Sequence, residues 1–210
     1  AGFRDAKVQM VAMEASSHGL EQGRLNATDI DTAIFTNLTR DHLDYHGSMA
    51  SYQQAKALLF QWPTLKNAIF NADDAVSAAY QAIVAPTVRC WTYSQQANST
   101  ADFVALTIEP SLQGLMLTIK TPFGAVELKS PLLGRFNVSN LLAVLAGLLS
   151  INIPLDDAVR ALAQVQPVRG RMQCLSNDQI TAVVDYAHTP DALEKVLQSL
   201  REHTQSQLWC

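Results

Sequence analysis

The segment LTRDHLDYHGSMASYQQAKALLF, residues 38–60, sets His42, Asp44 and His46 two apart and follows them with a single lysine, Lys56. Imidazole and carboxylate groups at this density suit a divalent cation or proton transfer. On a helix over residues 49–61, Tyr52, Ala55, Leu59 and Phe60 fall at i, i+3, i+7 and i+8, a stripe that faces a core; Lys56 takes i+4 of the same stripe. Two readings of that lysine stand side by side. Its stem can lie along the core while the ammonium reaches water. Alternatively, partial desolvation lowers its pKa and leaves a reactive neutral amine. Such an amine can also take up carbon dioxide and become a carbamate anion able to bind a metal.

Three further segments carry polar groups at places where ligands gather. Glu14 follows an apolar run over residues 8–13 and precedes Ser16, Ser17, His18 and Gly19. In open α/β sheets, ligands sit beyond the carboxyl ends of strands. Glu14 and His42 are expected at one such edge, where they offer an oxygen and a nitrogen to a divalent cation; ordinary loop polarity is the plain alternative. A zinc cluster of His42, Asp44 and His46 lacks a clear set of further ligands. GRFNVSNLLAVLAGLL places Asn137 and Asn140 three apart at the start of an apolar helix, either as caps or as donors to a polar ligand. In VVDYAHTPDAL, Asp185 closes an apolar strand before a helix, a common position for a carboxylate that bonds ribose hydroxyls. No G-x-x-x-x-G-K-[ST] phosphate loop occurs in the chain.

The elements that position these residues follow from periodicity. Residues 8–13, 32–36, 67–71 and 88–93 read as strands of a parallel sheet buried on both faces, with helices at 49–61 and 75–85 between them. That alternation predicts an α/β layer with a mostly parallel sheet flanked by helices. Residues 103–108, 115–119 and 125–128 are closely spaced and read as a small antiparallel β subdomain. Helices return at 138–150 and 155–164. Pro167 and Gly170 then break the pattern, which sets a boundary near 166–171 between a domain over residues 1–168 and the start of a second over 169–210. The second opens with strands at 172–175 and 180–184 and a helix from Pro190, with Thr189 as its cap and Asp191 in its first turn. The first residues read as a helix tail and the last as an unfinished strand, so a piece of a longer enzyme is expected.

Composition narrows the class. Of 210 residues, 48% are hydrophobic and 16% charged, ordinary for a globular protein. A net charge of -4 with no basic stripe argues against a nucleic-acid binder. The longest apolar stretch, near residues 141–149, is too short to span a bilayer. Cys90, Cys174 and Cys210 form no CxxC, which suits a reduced, cytoplasmic protein.

Taken in order, MEASSHGL, FTNLTRDHLDYHG, YQQAKALLF, NADD, GRFNVSNLLA, VRGRMQ and DYAHTPDAL resemble the Mur ligase family of ATP-dependent amide-bond ligases, over nearly the whole chain. Ala15 and Thr39 are conservative departures from the family's pattern. The resemblance implies a P-loop-NTPase-like central domain, here without its phosphate-loop strand, and the beginning of a Rossmann-like C-terminal domain. It implies ATP and magnesium as cofactors, Glu14 and His42 as magnesium ligands, and Lys56 as a carbamylated lysine that helps to place the metal. Ser16, Gln22 and Arg24 are implied contacts to a UDP-N-acetylmuramoyl dipeptide. Asn137 and Asn140 fall on the adenine side, with Arg171, Asp185 and His188 near the nucleotide. SSHGL and DYAHTPDAL favour the members that add a diamino acid, meso-diaminopimelate or lysine, in peptidoglycan synthesis over sister ligases and folylpolyglutamate synthase. A monomer is expected, and the 210 residues alone are expected to be inactive. From other classes, a zinc hydrolase and a non-catalytic binding module remain as alternatives.

Overall fold

A computed structural model describes residues 5–177 and 179–210, apart from the side chain of Asp191. The expected helix tail over residues 1–4 and the first-turn role of Asp191's carboxylate lie outside the described residues. Among the described residues, six strands form one sheet in chain order. β1 (Thr32–Phe35), β2 (Asn67–Asn71), β3 (Arg89–Ser94) and β4 (Phe103–Ser111) run parallel. β4, β5 (Gly114–Thr121) and β6 (Gly124–Ser130) then pair antiparallel, so the meander extends the same sheet. The register slips between Ala105 and Thr107, a bulge in the strand that serves both regimes.

β2 is buried along its whole length, as a continuous apolar run with both faces covered requires. The pleat divides it. Ile69 joins the core beneath α5 (Arg135–Ser150), with Trp91, Tyr93, Leu141, Leu142 and Leu145. Ala68 and Phe70 face the other way, towards Phe35, Phe60, Leu65 and Tyr80. That second layer is supplied by α3 (Met49–Ala57), the 3-10 turn Leu58–Gln61 and α4 (Ser77–Gln81). α5 closes tightly on β1 because Gly147 has no side chain; a Cβ there would stand 3.3 Å from Ile34 Cδ1.

α6 (Leu155–Ala163) packs on α5 and β6. β7 (Gln173–Ser176) and β8 (Thr181–Val184) form a separate antiparallel pair. α7 (Pro190–His203) follows, capped by Thr189, whose Oγ1 accepts the Ala192 N–H at 3.3 Å. Leu133, Met172 and Leu200 form a third apolar cluster where this C-terminal part meets the main sheet.

Two expected elements differ. Residues 8–13 are not a buried strand: they join no ladder, and Val8, Met10, Val11 and Met13 are 43% to 61% exposed. An apolar run becomes a sheet strand only where a neighbour meets its backbone groups, and here none does. The helix expected over 75–85 shortens to Ser77–Gln81, because Ile83 and Val84 donate to the carbonyls of Tyr80 and Gln81, tightening the tail into turns.

Candidate active site

The loops at the carboxyl ends of β1, β2 and β3 are tied together by side chains at the end of β2. Asn71 Nδ2 donates to the Thr36 carbonyl at 2.7 Å. Asp74 accepts the Leu38 N–H at 2.8 Å and the Val76 N–H at 2.9 Å. Asp73 accepts the Ser94 hydroxyl at 2.5 Å and the Gln95 N–H at 2.8 Å. These bonds fix the entry to His42, a non-glycine residue with φ 53° at the start of α2 (Leu43–His46). NADD carried no assigned role from sequence, although carboxylates just past a buried strand are the ordinary signal for turns that bond their own backbone.

α1 (Ser17–Glu21) lies against α3 and starts at Ser16, whose Oγ accepts the Gly19 N–H at 3.0 Å. His46 locks the two together. Its side chain is 1% exposed, with Nδ1 3.3 Å from Glu21 Oε2. Its Nε2 lies 2.9 Å from Ser17 Oγ, and its ring stacks on Tyr52 at 5.2 Å. The His18 ring centroid lies 4.0 Å from Tyr45, 5.0 Å from His42 and 5.2 Å from His46. The His42, Asp44, His46 zinc cluster is therefore not assembled: His46 is committed to Ser17 and Glu21. Among the described residues no group of three or more His, Cys, Asp or Glu side chains is placed to hold a metal.

His42 keeps a half-exposed ring, with Nε2 3.6 Å from Asp41 Oδ2. Tyr52 stands between it and the lysine: the His42 and Tyr52 rings are 5.8 Å apart, and Lys56 Nζ lies 5.1 Å from the Tyr52 ring centroid. Lys56 is half-buried in α3, and desolvation holds its amine below the usual lysine range against the opposing pull of Asp41. Glu14 is exposed on the unpaired run rather than at a strand end. Ser16, Gln22 and Arg24 are exposed around α1, and Gln22 Nε2 donates to the Tyr45 hydroxyl at 2.9 Å.

The other predicted group gathers near the C-terminal part. Gly134 caps α5, so neither asparagine is the cap. Asn137 Nδ2 instead reaches back to the Leu133 carbonyl at 2.7 Å, and Asn140 Nδ2 donates to Asn137 Oδ1 at 3.0 Å. Asp185 accepts the N–H groups of Met172 at 2.9 Å and Ala187 at 2.8 Å, which pins the 171–172 bend to the end of β8. Arg171 lies over Tyr186 at 5.7 Å, and His188 Nδ1 bonds the Tyr186 carbonyl at 2.9 Å. Sequence reasoning missed His203, which spans both parts.

The Mur ligase middle domain matches residues 1–148, and the Mur ligase glutamate ligase domain matches residues 170–210. Two curated relatives are each named UDP-N-acetylmuramoyl-L-alanyl-D-glutamate--2,6-diaminopimelate ligase. The one from Chromobacterium violaceum is 48% identical over 96% of this chain and 41% of its own length. The one from Pseudomonas aeruginosa is 48% identical over 100% of this chain and 43% of its own length. A solved structure of the same description superposes with a TM-score of 0.84 at 44% identity, covering 93% of this chain and 40% of that one. The chain thus spans about two fifths of the length of the relatives it matches. With matches to both domains in the order the motifs run, the chain belongs to the Mur ligase family.

Proposed function

We propose that this chain is part of a cytoplasmic, ATP-dependent ligase that joins a diamino acid to UDP-N-acetylmuramoyl-L-alanyl-D-glutamate in peptidoglycan synthesis. The observation that carries this reading is the near-complete alignment, at 48% identity, with relatives named for that reaction. The acceptor in their name, 2,6-diaminopimelate, favours that amino acid over lysine. The boundary near residues 166–171 would divide the middle domain from the C-terminal one.

ATP would phosphorylate the free glutamyl carboxylate, releasing ADP; the acceptor amine would then attack the acyl phosphate, forming the amide and releasing phosphate. Ser16, Gln22 and Arg24 would hold the UDP-linked peptide. Asn137 and Asn140 would face the adenine, while Arg171, Asp185 and His188 close on the nucleotide from the C-terminal part. An exposed carboxylate, an accessible imidazole and an amine of lowered pKa form a donor set that fits a hard cation, the amine after carbamylation. Glu14, His42 and carbamylated Lys56 would hold magnesium, which supplies charge stabilisation beside the phosphate. Lys56→Ala, in a polypeptide carrying this chain with the remaining length of its relatives, is expected to abolish ligation, and short carboxylic acids to restore part of it. Unchanged activity in that variant removes Lys56 from the mechanism.

A further inference from the structure

His203, the last residue of α7, is buried, at 6% exposure, and uses both ring nitrogens on backbone groups far away in sequence. Nδ1 lies 2.6 Å from the carbonyl oxygen of Ser111, at the end of β4. Nε2 accepts the Gly134 N–H at 2.8 Å. A carbonyl only accepts and an amide N–H only donates, so these partners select the neutral tautomer with hydrogen on Nδ1.

The peptide that His203 grips also holds the asparagines. Gly134 N–H and Leu133 C=O belong to one peptide unit; His203 takes its hydrogen, and Asn137 Nδ2 donates to its oxygen at 2.7 Å. Asn140 hangs in turn from Asn137. A continuous relay therefore runs from Ser111 through His203 and the 133–134 peptide to Asn140, each bond polarising the next. The Asp185 side reaches the same junction: its oxygen holds Met172 N–H, and Met172 packs with Leu133 and Leu200. Gly134 has φ 92°, and a Cβ added there would come 2.6 Å from the Phe136 ring and 3.0 Å from Ser199 Oγ of α7, so the position suits glycine. Arg135 Nε to Glu202 Oε2, at 2.9 Å, braces the exposed rim.

We propose that His203 is a positioning residue that clasps α7 to the 133–134 peptide and so sets Asn137 and Asn140 relative to Asp185 for a bound nucleotide. The nucleotide half of this rests on the ligase reading; the clasp does not. His203→Gln keeps one donor and one acceptor, whereas His203→Phe keeps bulk and loses both. In the ligase carrying this chain at its relatives' length, the Phe variant is expected to raise KM for ATP on the order of tenfold. KM for the UDP-linked peptide should stay within about twofold, and the Gln variant should recover most of the ATP effect. A Phe variant equal to wild type, a Gln variant as poor as Phe, or parallel rises in both KM values overturns the proposal. If the unsubstituted protein shows no ligation, the ligase reading fails by itself, and amide hydrogen exchange judges the clasp. The Gly134 amide should then exchange on the order of tenfold faster in the Phe variant than in wild type or Gln. Equal exchange in all three overturns the clasp.

Discussion

Replacing His46 by leucine tests whether the lock between α1 and α3 is built from the ring nitrogens or from bulk alone. Leucine fills much of the same apolar space but offers nothing to Ser17, a residue only 1% exposed. Leaving that hydroxyl without its 2.9 Å partner costs about 1–3 kcal/mol. The stack on Tyr52 adds about 0.5–1.5 kcal/mol. Glu21 is half-exposed, so its contact with Nδ1 contributes no more than about 1 kcal/mol. His46→Leu should therefore destabilise the chain by roughly 2–4 kcal/mol. Ser17→Ala alone strips the partner from Nε2 and should cost roughly 1–2 kcal/mol.

The decisive quantity is the double-variant cycle, read from urea unfolding at neutral pH with the slope unchanged. Once either partner is gone, the second substitution loses nothing more on that bond, so a coupling of about 1 kcal/mol or more is expected. Because Ser16 caps the same helix, the proposed ligase at its relatives' length should, with leucine at this position, also bind the UDP-linked peptide more weakly while ATP binding changes less. Costs that add to within about 0.5 kcal/mol would refute the hydrogen-bonded lock.

Lys56→Met should raise the urea midpoint at pH 7.5, since burial disfavours the charged amine in the fold, and on the ligase reading it should abolish ligation in the polypeptide at its relatives' length. The unfolded chain binds that proton more tightly between the lowered folded pKa and the ordinary lysine value of about 10.4. Wild-type stability therefore rises through that window and the methionine advantage shrinks; a lower midpoint for methionine at pH 7.5 contradicts this. Gly114→Ala should cost on the order of 3 kcal/mol or more, because φ is 126° and the new Cβ would fall 2.0 Å from the Ser130 carbonyl oxygen. Calorimetry showing a Tm within about 1 °C of wild type would sink that expectation. Asn137→Ala removes the anchor of Asn140 and, in the proposed ligase at its relatives' length, should raise KM for ATP about tenfold, with an unchanged KM counting against the adenine-side role.

What could be read from sequence divides along a physical line. β2 was legible to its end residues because five consecutive positions are buried, and such a run has few alternatives. Residues 8–13 carry the same signal and form no strand, since hydropathy records what a side chain prefers and not whether a neighbour stands ready to pair. The site divides in the same way. Glu14 and His42 stand out by type, Ser16 and Arg24 only through the family resemblance, and all four are exposed, as groups proposed to meet a ligand must be. Lys56 stands out by register, and its half-burial is what that register demands. Of the side chains that hold the exposed groups in place, Asp73, Asp74 and His203 carry no sequence signal of a role, and His46 carries a misleading one. His46 was grouped by its spacing with a metal cluster, but its partners are a serine and a glutamate from another helix. Asp74 and His203 bond to backbone groups, and Asp73 to one backbone group and one hydroxyl; every residue carries backbone groups and no residue type reveals them, and for His203 they lie 69 and 92 positions away. An open edge of exposed donors holds its geometry only if a few polar groups, here two buried histidines and two partly buried aspartates, restrain it. Function in this chain should therefore be as sensitive to those four side chains as to the ones that would touch substrate.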